Sequence, residues 1–495
     1  MQEYTPKRRT ALVMTGSGSS GAYHAGVLRA LDESGVKVDL LVGSGAGVIA
    51  AAFGAVAGGA KLSGPEGLWA RVPRFFPLRP SLKASAVLLG LSLAVCLLPL
   101  PLAILWALLV PLALLIDPLV PGAPWKALLV PPAGDFTTLR EVYVTALAAP
   151  SFVLWLLVAG VLVRAAVKNR RRLLEYFESP WNAGTSLGAL RTALWEVVRG
   201  ANPAAKAPPD SELGKRYVGL AAENFGQPGF REAVFRVADL DRGDALTFAL
   251  LQDGMRAAFG RYASRPTGEG REARGAVVDL RTPGYESLLV DALSTGLLPP
   301  LLAPVRRLAF PKGGIYGGEV HRLCDATLVG GSGLWEALAA GAEQVIVVTA
   351  VPSLPALPPR RRGPRAQTDA AVAALERQAV ERDLEEAERM NRIVETLGHE
   401  SSDGRRAWED PATGRVFQRV SLYVVRPETR SLGPLELKSV ADPRTEVLET
   451  LDDLAERGYQ DAYRLFVAPV VGASAEGRWR PPERTTVREG QPVEL

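Results

Sequence analysis

Two glycine-rich turns near the start of the chain limit what it can fold into. Gly16-Ser17-Gly18-Ser19-Ser20-Gly21 and Gly43-Ser44-Gly45-Ala46-Gly47 each follow a short apolar stretch and run into a helix-like segment. A strand that passes through glycines into a helix and returns to a second strand is a βαβ unit, and such units build parallel sheets covered by helices. The spans read as strand Ala11 to Met14, turn Thr15 to Gly21, helix Ala22 to Ser34 stopped by Gly35, and strand Val38 to Val42. The expected fold class is α/β with a mainly parallel central sheet.

The turns also carry candidate chemistry. The first has the spacing G-x-G-x-x-G at a strand-to-helix junction, where converging backbone N–H groups favour an anion. A dinucleotide-binding reading requires an acidic residue at the end of the second strand to hold a ribose, and there the chain has Gly43-Ser44-Gly45 instead. The second turn has the outline of the G-x-S-x-G nucleophile elbow, with Gly45 where the serine would stand. Two such turns on adjacent parallel strands would set oxyanion donors beside an elbow, the outline of an acyl-transfer site.

These pieces resemble the patatin-like phospholipase family. The resemblance covers Ala11 to Ala60, resumes near Asp291 and continues weakly to Leu465. Thr15 to Leu28, with His24, is similar to the family's oxyanion loop and following helix. Ala292-Leu293-Ser294-Thr295-Gly296-Leu297-Leu298-Pro299-Pro300 resembles its segment leading into a Pro-Pro turn, Cys324-Asp325-Ala326 falls where the family carries Asp-Gly-Gly or Asp-Gly-Ala, and Gly458-Tyr459 fits its last helical region. The resemblance implies a three-layer sandwich that hydrolyses lipid acyl esters with a Ser-Asp dyad and no histidine. It implies Asp325 as the base position, Gly45 as the nucleophile position, Gly16, Ser17, Gly18 and Gly21 as the oxyanion loop, and Gly43, Ser44, Ala46 and Gly47 as the elbow.

The chain departs from that pattern at Gly45 for serine, Ala326 for glycine and Ser20 for a basic residue. In a serine-protease template, loss of the serine alone lowers kcat on the order of 10⁶-fold. Ser44 stands one position off the elbow, so its side chain should point elsewhere. Ser17, Ser19 and Ser20 read most simply as turn residues, Asp325 has the alternative role of a cap, and His24 reads as structural.

Composition narrows the partners. A net charge of +4, from 57 Lys and Arg against 53 Asp and Glu, gives no basic surface for nucleic acid. Cys96 and Cys324 lie too far apart in sequence to suggest a disulfide framework or zinc site, and His24, His321 and His399 lack ligand spacing. No metal and no cofactor is expected; membrane lipid is the expected partner, and a protein partner is unknown.

Two uncharged runs, Ala84 to Ile116 and Val142 to Val163, are 33 and 22 residues long. Both exceed the roughly 18 to 20 residues needed to cross a bilayer. Basic residues crowd the outer flanks (Arg71, Arg74, Arg79 and Lys83 before, Arg164, Lys168, Arg170, Arg171 and Arg172 after), while Lys126 and Arg140 are alone between them. The expectation is a transmembrane hairpin inserted into the α/β domain, which makes the protein integral to a membrane with that domain and the N-terminus cytoplasmic. Buried core helices are the alternative. The domain limits then fall at 1–80 and 171–470 for the α/β domain, 81–170 for the membrane insertion with spans about 84–116 and 142–163, and 471–495 for a tail. A transporter is disfavoured because two spans without an intramembrane charge offer no pathway.

Further along, Arg172 to Arg274 reads as helical periodicity mixed with polar linkers, Gly275 to Leu280, Gln344 to Ala350 and Val416 to Val425 read as strands, Ala366 to Thr396 as a charged helix, and Asp442 to Leu465 as one or two closing helices. Arg360-Arg361-Arg362-Gly363-Pro364-Arg365 is a solvated loop or a contact to anionic lipid. Function is read as that of a membrane-anchored protein of lipid metabolism related to lipid acyl hydrolases, and alternatively as an inactive lipid- or partner-binding pseudoenzyme.

Overall fold

The computed structural model describes residues 4–56, 58–72, 80–97, 149–168, 182–200, 206–263, 277–299, 303–313, 316–353, 364–400, 406–411, 415–428, 440–441 and 448–466. The chain divides into two compact units, Met1–Phe76 with Ala183–Leu495, and Pro77–Asn182.

In the larger unit the expected βαβ opening is present as β1 (Thr10–Thr15), α1 (Ser20–Glu33) and β2 (Leu40–Ser44), followed by α2 (Gly47–Ala55). The sheet continues with β3 (Glu232–Asp239), β4 (Asp244–Leu250), β5 (Val277–Asp279), β6 (Arg306–Ala309), β7 (Val320–Cys324), β8 (Gln344–Thr349) and β9 (Ser421–Val425). Strands β9, β8, β1, β2 and β3 lie side by side in that order and run parallel. β4 pairs antiparallel with β3, and β7 joins the end of β3 through Ala238 and Cys324.

Strand order reverses at β1, since the chain steps to β2 and β3 on one side and returns as β8 on the other. Clefts at the carboxyl ends of strands open at such reversals. Because Met14 is opposite Gly43 across β1 and β2, the two glycine turns emerge there side by side.

Alternation along the strands sorts the core. Ala11 and Val13 of β1, with Val345 and Val347 of β8, pack beneath α3 (Leu334–Ala339) and α4 (Pro364–Leu397), using Leu334, Ala337, Val380, Leu384 and Ala387. On the other face Leu41 and Leu28 of α1 both meet Gly54 of α2. Helix α5 (Leu451–Phe466) lies against α1, tied by Tyr23 Oη donating to Asp461 at 2.8 Å and Tyr459 Oη to Glu33 at 2.7 Å. Each fully buried aliphatic side chain in these layers contributes about 1.5–3 kcal/mol.

Several sequence expectations are corrected. β3 carries Glu232, Arg236 and Asp239, whose charges hide a central strand from an apolar pattern. Each is buried with a partner: Glu232 with Arg9, Arg236 with Glu336 and the Gly331 carbonyl, and Asp239 with His321. The single strand expected over Val416 to Val425 is two, Arg415–Gln418 in a small sheet with Arg406–Asp410, and β9. The break sits where Asn391 of α4 bonds both the N–H and the carbonyl of Val420.

The transmembrane hairpin is not supported. Among the described residues no helix is long and apolar enough to cross a membrane. The helix Pro80–Leu97 contains Lys83 and the helix Ala149–Lys168 contains Arg164. Their uncharged parts, about 14 and 15 residues, reach roughly 21–23 Å at 1.5 Å per residue, short of a bilayer core of about 30 Å. The integral-membrane placement, and the cytoplasmic orientation deduced from it, lose their basis. The rest of the two runs, 98–116 and 142–148, lies outside the described residues, as do the segment 354–363 and the tail 471–495.

Candidate active site

The turn after β1 is held open by two glycines, Gly16 at φ +134° and Gly18 at φ +54°, which send the chain around Ser17 before α1 begins. Ser17 is fully buried. Its carbonyl accepts from the Ser20 N–H at 3.2 Å, so Ser17 stands at the start of the α1 spiral, where the helix end is electropositive. The turn after β2 passes through Gly45 at φ +62°, a left-handed conformation that suits glycine. The next residue, Ala46, donates its N–H to the Gly16 carbonyl at 2.6 Å, which ties the two turns together. Gly47 then opens α2 so close to β1 that a Cβ there would lie 1.9 Å from the Met14 carbonyl oxygen.

Asp325 meets both turns. It follows β7 as the N-cap of a short 3₁₀ turn, Ala326–Val329. Its Oδ1 accepts from Thr327 N–H at 2.9 Å and Thr327 Oγ1 at 2.6 Å, and its Oδ2 accepts from Ser17 Oγ at 2.8 Å. A Cβ on Gly45 would lie 2.8 Å from Oδ1 and 3.1 Å from Oδ2. That same Cβ would sit 2.3 Å from the Gly16 carbonyl oxygen, so the space for an elbow side chain is filled by backbone. Burial pushes the Asp325 carboxyl up to about 6, against the downward pull of the Thr327 and Ser17 hydrogen bonds.

A second buried carboxyl stands beside these groups. Glu376 of α4 accepts from Thr349 Oγ1 at 2.6 Å and from the Ser17 N–H. Its Oε2 has no hydrogen-bond partner among the described residues. Burial raises Glu376 to about 8, with the charge of Asp325 adding to the rise. At neutral pH it therefore holds its proton while Asp325 is ionised. Further along α4, Asp383 accepts from Ser332 N–H and Oγ at 2.6 and 2.8 Å, which steadies the loop that follows Asp325.

Of the residues singled out by sequence, Gly16, Ser17, Gly18, Gly45, Ala46 and Asp325 come together in this way. Gly21 lies within the first turn of α1 against Trp69, and Gly43 and Ser44 close β2. His24 is neutral, its pKa lowered to about 4 by burial, and its Nε2–H donates to the Thr15 carbonyl at 3.0 Å. Cys324 is buried with its thiol pushed up to about 12, first by burial and then by Asp325, which leaves it unreactive. Glu376 escaped the sequence reading because it belongs to a charged helix. The available signal was the seven-residue spacing of Asp369, Glu376 and Asp383, three acidic residues on the face that also buries Val372, Val380 and Leu384.

Residues 12–91 match the family model described as patatin-like phospholipase. No curated protein is a significant match to the sequence. Among solved structures, the crystal structure of VipD from Legionella pneumophila is similar over 94% of this chain and 67% of that one, at 12% identity and a TM-score of 0.30, a likeness too slight to bear on fold or function. Residues 12–91, which carry both glycine turns, are thus similar to the patatin-like phospholipase family.

Proposed function

We propose that the protein hydrolyses acyl esters of lipids, with Asp325 as the base that takes the proton from the attacking hydroxyl. One observation carries this reading: a fully buried carboxylate accepts a hydroxyl hydrogen bond beside the elbow turn. A base tuned to about 6 is ionised at pH 7 to 8 and still basic enough to bind a proton in the transition state. The lipid acyl ester as substrate is supported by the match of residues 12–91 to the patatin-like phospholipase model.

The test is hydrolysis of a fluorogenic acyl ester and of a phospholipid by the purified protein and by Asp325→Asn. The expected result is turnover that rises with pH through about 6 and falls about 10³-fold in the variant. Turnover absent from both proteins, or equal in both, overturns the reading.

A second reading, a site that binds an acyl group without turnover, is favoured by one specific feature. Gly45 brings no oxygen, and the Gly16 carbonyl stands 2.3 Å from where its side chain would begin. Under that reading a lipid acyl chain protects the protein against unfolding, Asp325→Asn leaves this protection unchanged, and no ester is cleaved.

A further inference from the structure

We infer that Ser17, from the turn after β1, supplies the nucleophilic oxygen that the turn after β2 lacks. The inference rests on the hydrolase reading and names the attacking group within it.

Three observations converge. Thr327 occupies Oδ1 of Asp325 with two hydrogen bonds, so Oδ2 faces Ser17 Oγ at 2.8 Å, within the range for proton transfer to a base. Ser17 is fixed from behind: Gly16 and Gly18 bend the chain on either side of it, and its N–H is held by Glu376. Its hydroxyl also reaches the carboxylate against which a side chain on Gly45 would press, at 2.8 and 3.1 Å. Two turns thus converge on one carboxylate, and the oxygen is present on the first. The electropositive start of α1, where the Ser17 carbonyl accepts from the Ser20 N–H, favours negative charge on the reacting oxygens.

The step balances without a further reagent. Ser17 Oγ forms a bond to the ester carbonyl carbon as its proton passes to Asp325 Oδ2. The bond to the alcohol breaks, and the departing alkoxide takes that proton, which leaves an acyl-Ser17. Water then attacks the same carbon, giving its proton to Asp325; the acyl–Oγ bond breaks and Ser17 recovers the proton. Ser17 and Asp325 have no solvent exposure in the ligand-free chain, so an ester reaches Oγ only through a local opening.

The decisive experiment needs no variant: treat the native protein with a fluorophosphonate, digest with trypsin and locate the adduct by tandem mass spectrometry. Ser17 falls in the peptide 10–29 and Ser44 in the peptide 38–61. The expected adduct is on Ser17. Ser17→Ala should then lower kcat about 10³-fold or more at pH 8 with the melting temperature retained, and Ser17→Ala combined with Asp325→Asn should fall no further than the worse single variant, as members of one catalytic unit do. Ser34→Ala, at the far end of α1, is the control and should change neither readout.

An adduct on Ser44 or any other serine overturns the inference. So does Asp325-dependent hydrolysis that persists in Ser17→Ala without an adduct; the hydrolase reading then stands, with water as nucleophile. An adduct on Ser17 without turnover upholds the nucleophile and removes the hydrolase reading. Neither adduct nor turnover removes both.

Discussion

The turn after β1 and the turn after β2 are built from the same materials. Each leaves a fully buried parallel strand, each uses a glycine in the left-handed region, and each opens a helix against the same sheet. They differ in what they bring to Asp325: the first brings the Ser17 hydroxyl at 2.8 Å, the second a bare Gly45 whose side-chain space is filled by the Gly16 carbonyl. A motif fixes where a backbone bends, while the reacting atom can come from whichever bend reaches the base. Position in a motif and position in space are separate properties, and here they part.

The comparison can be broken most forcefully at the carboxylate that the two turns share. Beyond its loss of activity, Asp325→Asn should change how stability responds to pH. The Asp325 carboxyl binds its proton more tightly in the folded chain, at about 6, than at its ordinary value of 3.8. Its contribution is therefore complete below pH 4 and is lost as pH rises through 6, by roughly 3 kcal/mol. The variant should lack that decline and exceed the wild type in denaturant midpoint at pH 8. A variant that parallels the wild type across this range would mean Asp325 is not a strained buried charge.

Glu376→Gln acts behind the first turn. Because burial raises Glu376 from 4.5 to about 8, wild-type stability should also fall between pH 5 and 9, by roughly 5 kcal/mol, and the glutamine variant should lose that slope. Urea titrations at several pH values measure it directly. An unchanged slope removes Glu376 as the source.

Gly45→Ser probes the second turn. The new Cβ must displace the Gly16 carbonyl and weaken the 2.6 Å bond from Ala46, so the variant should unfold roughly 2 kcal/mol more easily. If activity rises nonetheless, the elbow oxygen outperforms Ser17 once restored. Ser44→Ala should do least, below about 1 kcal/mol in stability with fluorophosphonate labelling intact, since the side chain lies beside the elbow position and not on it. Loss of labelling there would hand the nucleophile's role to the second turn.

Part of this architecture was legible in sequence because it is local. The βαβ opening follows from glycines between a short apolar stretch and a helical one, and β8 follows from an uninterrupted apolar run between Gln344 and Thr349. Asp325 was found by its order among four matching pieces. β3 is hidden in the sequence because Glu232, Arg236 and Asp239 look like surface residues until Arg9, Glu336 and His321 pair with them inside the fold. The membrane hairpin was overread because hydropathy counts residues, whereas a crossing needs one helix of sufficient length, and Lys83 and Arg164 fall within the described helices.

By itself, the sequence determined where this chain must bend, which strands are apolar enough for the middle of a sheet, and that position 45 holds no oxygen. Those are properties of neighbouring residues, set by backbone sterics and side-chain periodicity. Only the tertiary structure decided that a serine in one turn bonds the aspartate that follows β7, and that a glutamate from a charged helix lies buried beside it. Contacts of that kind join residues 308 positions apart, as for Ser17 and Asp325, and depend on how the layers pack.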